Sequence, residues 1–163
     1  MSLVENKKLI YRYLSEISDP EIPVINIVEM GVVRDVLFHG SKLEIKLTPT
    51  YSGCPAMDMI HQLVEEKLHS KGYNSVAVTL VYKPAWTTDW MSDETKEKLA
   101  RYGIAPPVGK VASKKALLNN EHVSCPQCGS KNTEMKSMFG STACKALFVC
   151  KKCLEPFDYF KCI

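Results

Sequence analysis

The chain has 163 residues, 45% of them hydrophobic, and a formal net charge of +3. That is enough apolar material for a packed core, which excludes disorder throughout, and the charge is too small for a strongly basic nucleic-acid binder. No apolar run approaches the ~20 residues of a membrane helix, and residues 1–8 lack a signal peptide's apolar stretch, so a cytoplasmic protein without a membrane partner is expected.

Ser2 followed by Glu5 reads as a capping box. Leu3, Ile10, Leu14 and Ile17 then recur at helical spacing, up to a stop at Asp19-Pro20. Residues 19–30, with Pro20 and Pro23, are expected to form a loop. Residues 32–38 and 43–47 alternate as strands around the turn His39-Gly40-Ser41, which predicts a β-hairpin. Pro55 suits the first turn of a second helix, with an apolar stripe of Met57, Ile60, Val64 and Leu68 and a stop at Gly72. Residues 75–82 are β-branched and end at Lys83-Pro84. Ser92 caps a third helix bearing the pairs Glu94–Lys98 and Glu97–Arg101, and Gly103 ends it. The expected division is an α+β domain of order αββαβα over residues 1–104, a linker over 105–121, and a cysteine-rich domain over 122–163.

Four of the seven cysteines stand in two CxxC pairs, Cys125/Cys128 and Cys150/Cys153, separated by 21 residues. Each pair can bend into a knuckle that turns two sulfurs to one side, and Gly129 permits the tight turn behind the first. Two knuckles make the S₄ tetrahedron that Zn²⁺ favours, so Cys125, Cys128, Cys150 and Cys153 are expected to hold a structural zinc in a zinc ribbon. Sulfur fills every position, leaving no open coordination site for catalysis. Cys144 and Cys162 are left over, and Cys144 reads as a small residue packed near the ribbon.

Cys54 falls at the expected N-cap of the second helix. Helix N–H groups there would lower its pKa and favour a reactive or metal-binding thiolate, against the alternative of a small packed side chain. Asp19 and Glu21 either cap a turn or assist a metal site. His39 reads as solvated and His61 as a surface or core-edge residue rather than a general base, His69 and His122 show no ligand pattern, and Trp86 and Trp90 read as packing residues. No GxGxxG, P-loop, HExxH or GxSxG is present, so an enzyme acting alone is not expected.

Several stretches resemble a known family. They are Asp19-Pro-Glu-Ile-Pro23, Leu47-Thr-Pro-Thr-Tyr-Ser-Gly-Cys-Pro-Ala56, Pro84-Ala-Trp-Thr-Thr-Asp-Trp-Met-Ser92, Gly103-Ile-Ala-Pro-Pro107, Phe139-Gly-Ser-Thr-Ala-Cys-Lys-Ala-Leu147 and Glu155-Pro-Phe157. Together they resemble the PaaD family of bacterial phenylacetate degradation. The first domain also resembles the iron–sulfur assembly family that includes SufT, whose members are compact α+β proteins. Many of these carry a reactive cysteine after the second strand, where Cys54 stands. The resemblance implies an accessory or maturation role with phenylacetyl-CoA epoxidase, its di-iron oxygenase or its flavin/iron–sulfur reductase. It implies transient iron or an iron–sulfur cluster at Cys54, and leaves a non-catalytic structural or regulatory subunit as the alternative. A homodimer bringing two Cys54 thiolates together is a further open possibility, and nucleic acid is not an expected partner.

Overall fold

A computed structural model describes residues 3–108 and 123–161. The proposed capping residue Ser2, most of the expected linker, His122 and Cys162 lie outside the described residues. The chain forms two compact units that divide between Trp86 and Thr87.

The first unit contains α1 (Leu3–Leu14), β1 (Val33–His39), β2 (Lys42–Leu47), α2 (Ala56–Ser70) and β3 (Val76–Leu80). β1 and β2 form the expected hairpin, with Val36 opposite Ile45. β3 then pairs parallel to β2, Leu43 matching Val76 and Leu47 matching Leu80. A parallel neighbour needs a crossover, and α2 supplies it. Ile10, Leu14, Val36, Leu43, Ile45, Leu47, Ile60, Val64 and Leu68 are buried as the core.

α1 ends at Leu14, earlier than the proline signal suggests. The Ser15 hydroxyl donates to the Arg12 carbonyl at 2.8 Å. Tighter bonds, Glu16 N–H to Tyr13 O and Ile17 N–H to Leu14 O, then replace the helical ladder. This turn still delivers Ile17 to the core. The following loop is held by its own polar groups. Asn26 Oδ1 accepts from the N–H groups of Val28 and Glu29 at 3.0 and 2.9 Å, and Trp86 Nε1–H donates to the Met30 carbonyl at 2.9 Å.

The second unit begins earlier than the sequence boundary implies. It contains a 3-10 turn (Thr88–Trp90), α3 (Asp93–Tyr102) and β4 (Ile104–Ala105), then β5 (Thr133–Ser137), β6 (Lys145–Cys150) and β7 (Pro156–Phe160). Ser92 caps α3 by accepting from Thr95 N–H at 3.1 Å, and Gly103 closes it at φ 95. The sheet order is β4-β7-β6-β5. β4 joins because Ile104 and Ala105 pair parallel with Asp158 and Tyr159. The expected boundary at 104/105 therefore falls inside a strand of this unit. The helix and strand order of the α+β reading holds along the chain, but α3 clusters with the ribbon. No helix among the described residues is long and apolar enough to cross a membrane.

Candidate metal centre and reactive thiol

The two CxxC pairs fold as near-copies of one another. The N–H of Gly129 donates to the Cys125 carbonyl at 2.8 Å, and that of Leu154 donates to the Cys150 carbonyl at 2.9 Å. The N–H of Cys125 reaches Ser130 O, and that of Cys150 reaches Glu155 O, both at 2.9 Å. Gly129 and Leu154 are both left-handed, at φ 71 and φ 63. The second knuckle thus closes without a glycine.

These turns bring the four sulfurs within 4.8 Å of one another. Cys125 Sγ lies 3.7 Å from Cys153 Sγ, and Cys128 Sγ 3.6 Å from Cys150 Sγ. A tetrahedral ion with metal–sulfur bonds of ~2.3 Å has edges of about 3.8 Å, so the donor set fits such an ion. Cys125 and Cys150 are buried, while Cys128 and Cys153 face solvent. The buried pair belongs to a core cluster with Ala105, Val123, Ala146, Phe157 and Tyr159, against which Phe148 packs. The backbone N–H of Cys153, with that of Lys152, draws Cys150 down to about 6 against the effect of burial.

Cys144 is buried but stands outside the four-sulfur group. Its Sγ lies 3.0 Å from Thr142 Oγ1. Nearby Lys161 is also buried. Its ammonium donates to the Met138 carbonyl at 2.8 Å and sits 4.6 Å from the centre of the Phe139 ring. Burial pushes the Lys161 pKa down, and Cys144 partly opposes that. Lys145 is buried as well, its ammonium 3.6 Å from Asp158 Oδ2. Nothing in the spacing of these lysines signalled burial, because it arises from the fold of the ribbon around them.

In the first unit, Cys54 lies one residue ahead of its expected place. The N-cap of α2 is Pro55, with no side-chain cap, and the Cys54 carbonyl accepts from Met57 N–H at 3.2 Å. The expected low thiol pKa is not found. Burial raises it above the ordinary thiol value, and the Glu21 carboxylate adds to the rise. Hydrogen bonds from the Ala56 N–H and from the Tyr51 and Thr50 side chains pull the other way without prevailing. The helix terminus does act on the sulfur, but half-burial and a neighbouring negative charge outweigh it.

Asp19 and Glu21 have different places. Asp19 is buried, and its Oδ1 accepts from Glu21 N–H and Ile22 N–H, both at 2.9 Å, capping the turn. Glu21 is the acidic group whose charge Cys54 feels. His61 is engaged on its own helix, its Nε2 3.5 Å from Glu65 Oε1, and His39 Nε2 meets Glu44 Oε2 at 3.0 Å.

Residues 7–80 match the family model described as iron-sulfur cluster assembly protein, and residues 109–161 match the PaaD zinc beta ribbon domain. The chain is 51% identical to an Escherichia coli protein named as one of the subunits of 1,2-phenylacetyl-CoA epoxidase, over 94% of this chain and 92% of that relative. The chain belongs to the PaaD family. This PaaD-family chain is also 34% identical to an Fe-S protein maturation auxiliary factor of Porphyromonas gingivalis, over 59% of its own length and 92% of that protein. The crystal structure of a domain of unknown function, DUF59, from Bacillus anthracis superposes at a TM-score of 0.54. It is 29% identical and covers 59% of this chain and 92% of its own.

Proposed function

We propose that this PaaD-family chain is an accessory maturation protein of a phenylacetyl-CoA epoxidase system, and that it aids assembly of an iron or iron–sulfur centre in another subunit or its reductase. The observation that carries this reading is the placement of Cys54. It sits half-buried on the loop before α2, within electrostatic reach of Glu21, in the domain shared with an Fe-S protein maturation factor. A thiol that keeps its proton until iron arrives suits transient holding, because iron displaces that proton on binding. Asp19 is committed to its turn.

The metal of the ribbon is proposed to be zinc with a structural role. Four thiolates with no open position suit Zn²⁺, and half of the donor set doubles as core. The ribbon then has no part in iron chemistry and is left to hold the second unit together and to meet the client.

A second reading is favoured by one observation. The raised thiol pKa of Cys54 suits a quiet packing residue, as a structural or regulatory subunit would have. The two readings separate on co-expression of the epoxidase subunits with wild type or Cys54→Ser. The maturation role requires the variant to keep one zinc per chain while the client's iron content falls. Full client iron with Cys54→Ser would sink the maturation role and leave the subunit reading standing.

A further inference from the structure

The three-stranded sheet of the first unit has two edges, and they are built differently. β1 carries Arg34, Asp35 and His39, and its register breaks between Val33 and Asp35. Charge and irregularity of this kind stop an edge strand from pairing with another chain. β3 has neither. It reads Val76-Ala-Val-Thr-Leu80, uncharged, without proline, and in unbroken register with β2.

The open side of β3 can be assigned group by group. Ser75 O accepts from Leu43 N–H, and Val81 N–H donates to Leu47 O, so these residues face β2. Backbone polar groups alternate in direction along a strand, which turns those of Val76, Val78 and Leu80 away from β2. Among the described elements of its unit, β3 packs only against β2 and α2. The side chains show the same opening. Leu43, Ile45 and Leu47 are 1%, 0% and 0% exposed. Their register partners Val76, Val78 and Leu80 share that face but are only partly covered, with Leu80 44% exposed. The core layer stops short at this edge.

We infer that β3 is the contact through which two copies of this chain pair, antiparallel and edge to edge, into one continuous six-stranded sheet. The strand is complementary to itself. A two-fold axis through Val78 sets Val78 against Val78, Val76 against Leu80, and Ala77 against Thr79. No charge meets a like charge, which would destabilise the pair. The outward N–H and C=O groups of Val76, Val78 and Leu80 satisfy one another in pairs. Residues directly opposed across a ladder point to the same face, so both copies keep α2 on one side. The half-covered Val76, Val78 and Leu80 of one copy then close over those of the other. A strand from an unrelated protein would need none of this symmetry.

Light scattering on the full metallated chain tests it. The expected mass is about twice the 18.3 kDa of one chain, falling to a single chain in Val78→Pro. Proline there removes an N–H that β2 does not use, a position an edge strand tolerates. A circular dichroism melt confirms that this variant is folded. Val78→Cys supplies a second readout that does not depend on disrupting the strand. Paired residues across such an axis lie ~5.5 Å apart at Cα, within disulfide reach. Oxidised glutathione should therefore convert Val78→Cys to a covalent dimer, releasing two reduced glutathiones per bridge, while Met59→Cys on α2 stays uncrosslinked. A wild-type monomer at micromolar concentration would overturn the proposal, as would a dimer that survives Val78→Pro and fails to crosslink in Val78→Cys. Loss of a different co-purifying protein from a monomeric Val78→Pro chain would also overturn it, in favour of a strand from another chain.

Discussion

Gly140 and Asp158 share a space with no room for another methyl group. A Cβ at Gly140 would fall inside contact distance of Asp158 Oδ1, with the Ala146 and Lys145 backbones 3.4 Å away. Asp158 cannot simply swing aside. Its Oδ2 accepts from the Ser141 hydroxyl at 2.8 Å and lies 3.6 Å from the Lys145 ammonium, whose side chain is buried. Gly140→Ala should therefore destabilise the ribbon unit by about 1–3 kcal/mol through overpacking and loss of that partner for Lys145. Denaturant melts of the metallated protein measure it, and an unchanged midpoint would show that the loop yields at no cost.

Metal removal should act on one unit and spare the other. Cys125 and Cys150 stand in the core of the second unit, and structural zinc sites contribute on the order of 10–16 kcal/mol of binding free energy to folding. With a strong chelator, the amide spectrum of β5, β6 and β7 should collapse. The spectrum of α1, α2 and the β1-β2-β3 sheet should persist, because that core contains none of the four sulfurs. Nuclear magnetic resonance resolves the two sets in one sample.

Leu154 is left-handed at φ 63 and 76% exposed. A side chain in that backbone region costs about 1–2 kcal/mol, and glycine gives back part of the difference through its freedom in the unfolded chain. Leu154→Gly is expected to raise stability by about 0.5–1 kcal/mol, since little packing is lost. Leu154→Val should lower it, because β-branching worsens the same strain. Thermal midpoints of the two variants should move in opposite directions.

Cys54 should react slowly at neutral pH. Burial holds its pKa above the ordinary thiol value, so the thiolate, which is the nucleophile, is scarcer than at a free cysteine. Iodoacetamide labelling followed by peptide mass spectrometry should show Cys54 reacting more slowly at pH 7 than a free thiol, with the rate rising as the pH is raised. Glu21→Gln removes a charge that raises the thiol pKa and should speed labelling at fixed pH. A fast, pH-independent reaction at pH 7 would contradict the burial argument.

Signals carried by neighbouring residues were legible in the sequence. The turn at Gly40, the stripe Met57-Ile60-Val64-Leu68, the Ser92 cap and the two knuckles all rest on residues a few positions apart, and each appears where expected. Features that need distant partners were not legible. β4 is two residues long and exists because β7 lies beside it. The parallel match of β3 to β2 is likewise set by the α2 crossover rather than by β3 itself. At Cys54 the position was read to within one residue, but the electrostatics were reversed. The helix terminus is visible in sequence, whereas burial and the approach of Glu21 from 33 positions upstream are properties of the fold.

The pairing of Ile104 and Ala105 with β7 bears on how this chain can be cut. Ala105 lies in the same cluster as two of the metal's sulfurs, and α3 leads directly into it. A fragment beginning at residue 122 would carry all four ligands yet leave one flank of its sheet bare. Such a truncation should bind its ion and still precipitate or fray. A fragment beginning at Thr87 would keep that flank. The ion's occupancy would then be transmitted to α3, so that protease sensitivity at Asp93–Tyr102 becomes a readout of metal loading from outside the cysteine-rich segment.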